Sequence, residues 1–335
     1  MAPNRLPRDF VQLNKSSVSS ASSVVQFCYS HAADMRAAAI LGLSSSEKDL
    51  RPFQTEPNVT WQLGLPASAN DADAVLIFGG DGTIHRHLAQ LVGLQLPVLV
   101  VPHGSGNDFA RALSLRSVRD SVKAWRRFVA GHGTVRQIDL GVISSPHDPK
   151  IPGHYFCCVG GIGLDAEVAR LANQLPRWIR RRGGYWLSLL PGLLGFEPLP
   201  VTVQASEEAK SESGRLGGFT TRHDGPALVV AFANGPTYGG GIRIAPRATL
   251  DDGQLDICVV GDIGKARVLR LFPSVYSGSH FSIPEVKYFQ TERLRLDTQR
   301  PMDVYADGEY VCRTPVEVSV EREALRVIVG APQNG

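Results

Sequence analysis

The apolar positions of this chain fall into two regimes. Between about residues 74 and 131, solid apolar runs alternate with stretches at helical spacing. Ala74-Val75-Leu76-Ile77-Phe78 is continuous and stopped by glycines, as in a strand covered on both faces. From Thr83 the pattern becomes Ile84, Leu88, Leu91 and Val92, one face of a helix. Leu96 to Val101 is a second buried run, ended by Pro102, and Asn107-Asp108 opens a further helix because both residue types cap orphan N–H groups. Ser117 with Asp120 predicts a capped start for a helix carrying Val118, Val122, Trp125 and Phe128, which Gly131 ends. Upstream, Val24 to Tyr29 reads as a strand and Ala32 to Leu43, rich in Ala, Met and Leu, as a helix. Ser44 to Asn70 carries no firm pattern.

From Val135 onward the period shortens. Val135 to Ile143, Tyr155 to Val159, Ala227 to Ala233, Leu255 to Val260 and Leu325 to Val329 read as strands, parted by Gly, Pro and Asp-Gly turns. One helix is expected at Arg177 to Leu194, and the polar stretch Ala205 to Asp224 reads as a surface loop. The expected fold is an α/β, doubly wound N-terminal domain followed by a β-rich, sandwich-like C-terminal domain. The expected boundaries are a flexible segment over residues 1–22, the α/β domain over 23–138 and the β-rich domain over 139–330, its last strand returning to the first domain.

Composition narrows the function classes. The chain has 335 residues, 43% hydrophobic and 20% charged, with a net charge of +3, too small a surplus for a nucleic-acid binder. Its five cysteines are odd in number and lack Cys-x-x-Cys spacing, which predicts free thiols in a reducing cytoplasm. No stretch is long and apolar enough to span a bilayer, so the expected location is cytoplasmic, with peripheral contact at the inner face of a membrane.

The chemistry concentrates in two loops. Gly79-Gly80-Asp81-Gly82-Thr83 joins a buried strand to a helix, where backbone N–H groups and the helix dipole can meet phosphate. A tight turn that merely needs glycine is the alternative. Asp81 would repel phosphate by itself, so it points to Mg²⁺ or to a hydroxyl partner. Pro102-His103-Gly104-Ser105-Gly106-Asn107-Asp108 leaves the end of the next strand. Paired glycine loops on one rim of an open sheet can enclose a nucleotide.

These two loops in this order resemble the catalytic domain of diacylglycerol kinases, sphingosine kinases and YegS-like lipid kinases. The similarity continues through Ile138-Asp139-Leu140-Gly141, Gly161 to Val168, Asn234-Gly235, Gly239 to Pro246, Leu250 to Gly253 and Asp307-Gly308-Glu309, so it covers residues 71 to 330. The resemblance implies an ATP-dependent lipid kinase acting on diacylglycerol, a sphingoid base or a related lipid alcohol. It places ATP against Gly79, Gly80, Asp81, Gly82, Thr83, Ile84 and His85, and against Gly104, Ser105 and Asn107. It makes Glu309 the general base, with Asp81 also catalytic, and sets Asp165 and Asp108 toward substrate. It implies Mg²⁺ with the nucleotide and a structural metal site at Thr249, Asp252 and Gln254, and it admits a homodimer.

Each of these residues also has a plainer reading. Asp307-Gly308 is a hairpin signal, Asp252-Gly253 a β-turn, and Asp165 a cap for the next helix. The arginines and aromatics of Arg177 to Leu187 suit anionic lipid, or else a solvated helix face. An NAD kinase-like enzyme and a catalytically weak nucleotide- or lipid-binding protein are the competing functions. Two departures from the family stand out: no Asn-Pro-x-Ser/Ala-Gly turn occurs near Val24 to Ala32, and Arg86 replaces a usual Glu; Thr55 lies at about the distance of the upstream threonine that contacts ATP in the family.

Overall fold

The computed structural model describes residues 24–25, 34–146, 153–176, 184–206 and 218–330. A short strand β1 (Val24–Val25) lies apart from the first sheet, which is built from β2 (Met35–Leu41), β3 (Val59–Leu63), β4 (Ala74–Gly79) and β5 (Val98–Pro102). These pair in parallel in the order β3-β2-β4-β5. The expected helix at Ala32 to Leu43 is therefore a strand. Ala37, Ala38 and Ala39 are fully buried and lie between two parallel neighbours; tertiary burial overrides their helix propensity.

After a short helix α1 (Glu47–Leu50), helix α2 (Asp81–Leu94) follows β4 directly and buries Ile84, Leu88 and Leu91, the face expected from their spacing. Helices α3 (Asp108–Ala112) and α4 (Val118–Val129) follow β5. The Ser117 hydroxyl accepts the Asp120 N–H at 3.2 Å, which caps α4. Trp125 on α4 is buried and donates from Nε1 to the Phe53 carbonyl at 3.1 Å.

The chain then turns antiparallel. The strands are β6 (Val135–Ser144), β7 (His154–Phe156), β8 (Val159–Gly163), β9 (Leu199–Ser206), β10 (Phe219–Ala233), β11 (Leu255–Gly261), β12 (Val286–Thr291), β13 (Arg293–Thr298), β14 (Asp303–Ala306), β15 (Glu309–Arg313) and β16 (Val316–Ile328). Residues 205–206 and 219–224 thus belong to strands, not to the surface loop expected there; residues 207–217 lie outside the described residues. Helices interrupt the strands: α5 (Leu164–Gln174) after β8, α6 (Gly184–Gly195) before β9, and the short helices Lys265–Leu271 and Ser274–Ser277 between β11 and β12.

Strand β16 welds the two regimes together. It pairs with β6 and β13 in antiparallel fashion, and near its end it joins β5 in parallel at Val327 and Val98. The fold is accordingly an α/β layer joined to a β-sandwich-like layer. The four described cysteines are free; Cys157, Cys158 and Cys258 are buried and Cys312 is half-buried. Among the described residues no helix is long and apolar enough to cross a membrane.

Candidate active site

Parallel strands place their carboxyl ends on one rim, and the loops after β2, β4 and β5 meet there. The two glycine loops touch back to back. A Cβ on Gly80 would stand 2.7 Å from the Gly104 Cα, so no other residue lets them close. Asn107 clasps the second loop, accepting the Gly104 N–H at 2.8 Å and donating to the Gly104 carbonyl at 2.9 Å. Ser105 is exposed at its tip.

Asp81 ties the loops together. Its two carboxylate oxygens accept the N–H groups of Asp108 and Phe109, each at 3.1 Å, at the start of α3. Desolvation, then the neighbouring Asp108 charge, pushes its pKa up to about 6 against those backbone donors. Asp108 is buried; it accepts the Gly240 N–H at 2.8 Å and pairs with Arg111 at 2.7 Å. It therefore holds the Gly239–Gly241 turn of the β-rich half to the α/β half, and its carboxylate is already engaged. Ile84 is turned into the core with its N–H bonded to the Gly80 carbonyl at 3.2 Å, so this expected nucleotide contact has neither side chain nor N–H on the rim.

The β14–β15 hairpin brings the distant carboxylates to the same place. Asp307 and Gly308, at φ of 50° and 84°, make its tight turn. Asp307 accepts the Cys157 and Cys158 N–H groups at 2.8 and 2.9 Å, and its Oδ2 lies 3.3 Å from His85 Nδ1. Burial opposes a charged imidazole, but the hydrogen bond and charge of Asp307, with Glu309 beside it, hold the His85 pKa above its ordinary value. The Glu309 carboxylate lies directly over Gly82: a Cβ on that glycine would collide with Glu309 Oε1. Glu309, His85 and the first glycine loop are thus one constellation.

A third rim loop adjoins the first glycine loop. Because β2 begins at Met35, the turn after the first parallel strand is Gly42-Leu43-Ser44-Ser45-Ser46, not the region after Val24. A Cβ on Gly42 would stand 2.8 Å from Thr83 Oγ1, and the Ser45 hydroxyl donates to the Phe78 carbonyl at 2.9 Å. Thr55 precedes β3, at the opposite end of the strands from the rim, and its hydroxyl donates to Glu56 at 3.1 Å. Arg86 is exposed and folds back one turn, donating from Nε to the Gly82 carbonyl at 3.0 Å.

Asp165 lies in the first turn of α5 beside a different feature, an apolar cavity of about 700 Å³ including its open mouth. Leu164, Val168, Leu189, Leu228, Ile263 and Phe272 are among its walls. Asp165 is buried, accepts the Ala166 N–H at 2.8 Å, and has its pKa pushed up to about 7 by desolvation. Its Oδ2 abuts Gly161 of β8, which pairs with Tyr305 of β14, so the cavity lies behind the strand that leads to Asp307 and Glu309.

At the expected structural metal site, Thr249 and Asp252 are exposed, and Asp252 Oδ1 accepts the Gln254 N–H at 3.0 Å, an Asx turn. No cluster of three or more His, Cys, Asp or Glu side chains among the described residues is arranged to hold a metal. Asp139 anchors this turn from beneath, accepting the Gly253 N–H at 2.7 Å and the Glu323 N–H at 2.8 Å. Asn234, buried, donates to the carbonyls of Asp139 and Cys157 at 2.9 and 3.0 Å. The motifs around Asp139 and Asn234 thus position loops and lie outside the rim.

Comparison with known proteins agrees with this architecture. Residues 33–143 match the diacylglycerol kinase catalytic domain, and residues 159–329 match the YegS C-terminal NAD kinase beta sandwich-like domain. The chain belongs to the diacylglycerol kinase/YegS-like family. It is a lipid kinase of that family. It is 31% identical over 271 residues to a diacylglycerol kinase of Mycobacterium tuberculosis, covering 80% of each chain. It is 25% identical over 297 residues to a probable lipid kinase YegS-like of Alcanivorax borkumensis, covering 83% of this chain and 88% of the relative. Its fold is similar to that of the crystal structure described as a putative diacylglycerol kinase from Bacillus anthracis, with a TM-score of 0.65 at 20% identity over 89% of this chain and 98% of that one.

Proposed function

We propose that this lipid kinase transfers the γ-phosphoryl group of ATP to the hydroxyl of diacylglycerol, a sphingoid base or a related lipid alcohol. The observation that carries the reading is the Glu309 carboxylate seated over Gly82, where a base from the β-rich half meets the phosphate-binding turn of the α/β half. The N–H groups at the start of α2 and the Gly104–Asn107 loop receive the phosphates, and Gly80 and Gly104 leave the backbone open to them. Glu309 takes the proton of the lipid hydroxyl as its oxygen attacks, a contribution of about 10²–10⁴-fold. Asp307 keeps His85 disposed to carry positive charge beside the turn, where charge on the transferring group develops. The apolar cavity beside Asp165 supports an acyl chain as the bound part of the acceptor.

Mg²⁺ bound with the triphosphate would neutralise charge there, and Asp81 is the carboxylate of the turn suited to meet it, since each oxygen accepts only one N–H. The second metal site at Thr249, Asp252 and Gln254 would rest on the single Asp252 carboxylate with backbone oxygens and would fasten the turn above Asp139. Peripheral action at the cytoplasmic face of a membrane follows from a substrate that resides in the bilayer.

Radiolabelled ATP offered with a lipid panel tests the reading, with wild type and Glu309→Gln side by side. Labelled lipid from the wild type and its loss in the variant, with ATP binding unchanged, are expected. Label in NADP from added NAD, or ATP binding without transfer to any lipid, would replace this function with one of its competitors.

A further inference from the structure

We propose that the outward faces of α6 and of the helix Lys265–Leu271 form a membrane-docking surface for an anionic lipid bilayer, through which the acceptor passes into the cavity. This inference rests on the lipid-kinase reading above and adds the place where the enzyme meets the bilayer. Leu187, Leu190 and Leu194 are 60%, 50% and 62% exposed, and their spacing puts all three on one stripe of α6. The opposite side of the same helix is buried, with Leu189 and Leu193 packed against Leu164, Val168 and Ile263. The neighbouring helix repeats the arrangement: Val268 and Leu271 line the cavity while Leu269 is 44% exposed. Lys265 joins the two helices, donating from Nζ to the Leu194 carbonyl at 2.7 Å.

Charge identifies the occupant. α6 carries no Asp, Glu, Lys, Arg or His, and the helix Lys265–Leu271 carries Lys265, Arg267 and Arg270 with no acid. Arg267 is paired with Glu285, and Asp262 precedes the helix, so the surface is mixed but has a basic excess. Exposed leucines rimmed by cations fit the boundary between acyl chains and anionic headgroups. The same two helices wall the cavity, so a lipid leaving the bilayer beneath them enters it without crossing water.

The test is flotation of the full chain with vesicles of phosphatidylcholine alone or with phosphatidylglycerol added. One variant changes Leu187, Leu190 and Leu194 to Gln; a second changes Lys265 and Arg270 to Glu. The wild type is expected on anionic vesicles, and both variants are expected to lose about tenfold in binding while keeping wild-type melting temperatures. Phosphorylation of a short-chain, water-dispersed diacylglycerol is expected to survive in both, while activity on vesicle-embedded diacylglycerol falls. Wild type that stays off anionic vesicles overturns the proposal. So does a leucine variant that binds as well as wild type, or one that merely converts a dimer to a monomer in light scattering. If no lipid is phosphorylated by any form, the kinase reading fails while flotation still judges the docking surface.

Discussion

His85 Nδ1 stands 3.3 Å from Asp307 Oδ2, a contact that joins the α2 helix of the α/β half to the β14–β15 turn across 222 residues of sequence. Asp307 in turn holds the Cys157 and Cys158 N–H groups, so the imidazole is braced against a fixed carboxylate. Burial works against the imidazolium and Asp307 works for it, with Asp307 prevailing. The stabilisation from this pair is therefore complete below the ordinary histidine value and is lost as pH rises through the elevated one. In an NMR titration the His85 ring should protonate above 6.5, the ordinary value, in the wild type and below it in Asp307→Asn, where burial acts with little opposition. An unchanged titration in the variant would show that Asp307 does not set it.

Closing the two glycine loops on each other depends on absent side chains. In Gly104→Ala the new methyl would meet the Gly80 Cα at 2.5 Å, backbone against backbone, and neither side can swing away. The expected cost is about 1–3 kcal/mol of stability, with ATP affinity reduced at the same time because the loops part. Thermal melting with and without ATP reads both; a variant that melts and binds like wild type would contradict the close approach.

Asp165 sits in a buried place that resists charge, its pKa pushed up to about 7 from an ordinary 3.8 by desolvation. The folded protein holds this proton more tightly than the unfolded chain, so the residue lowers stability progressively as pH rises from 3.8 toward 7. Asp165→Asn keeps an acceptor for the Ala166 N–H and removes the charge. The variant should melt close to wild type near the low end of that range and above it once pH exceeds the higher value. A difference that does not grow with pH would place the carboxylate in water.

Val275 lines the apolar cavity and is only partly buried. Val275→Trp should fill much of the space an acyl chain would use without strain in the closed core. KM for long-chain acceptors is expected to rise about tenfold or more, with little change for short-chain ones, as befits loss of several methylenes' burial at about 0.8 kcal/mol each. Equal effects on both chain lengths would put the chain elsewhere.

Much of this protein is legible in its residues. The solid run Ala74 to Phe78, the helical face of Ile84, Leu88 and Leu91, and the Asp307-Gly308 hairpin are local patterns, and local physics alone selects their conformation. The Ala-rich segment after residue 34 was not legible, because alanine favours a helix until neighbours on both sides bury it in a sheet. The Gly42–Ser46 turn is illegible for the same reason, since a rim loop is placed only by the strand it follows. The basic stretch Arg177 to Arg182 lies outside the described residues, whereas the exposed leucines of α6 carry no sequence signal that separates them from buried Leu189 and Leu193.

The order of the glycine loops and the closing Asp-Gly-Glu determined from sequence which chemistry belongs here, because those residues act through backbone freedom and charge, which travel with residue type. Only the tertiary structure decided what each carboxylate meets. Asp81 joins the two glycine loops through the Asp108 and Phe109 N–H groups, Asp108 holds the Gly240 N–H and Arg111, Asp307 braces His85, and Glu309 is laid over the Gly82 turn. Contacts across 200 residues depend on how two sheets are joined through β16, and no local pattern encodes that joint.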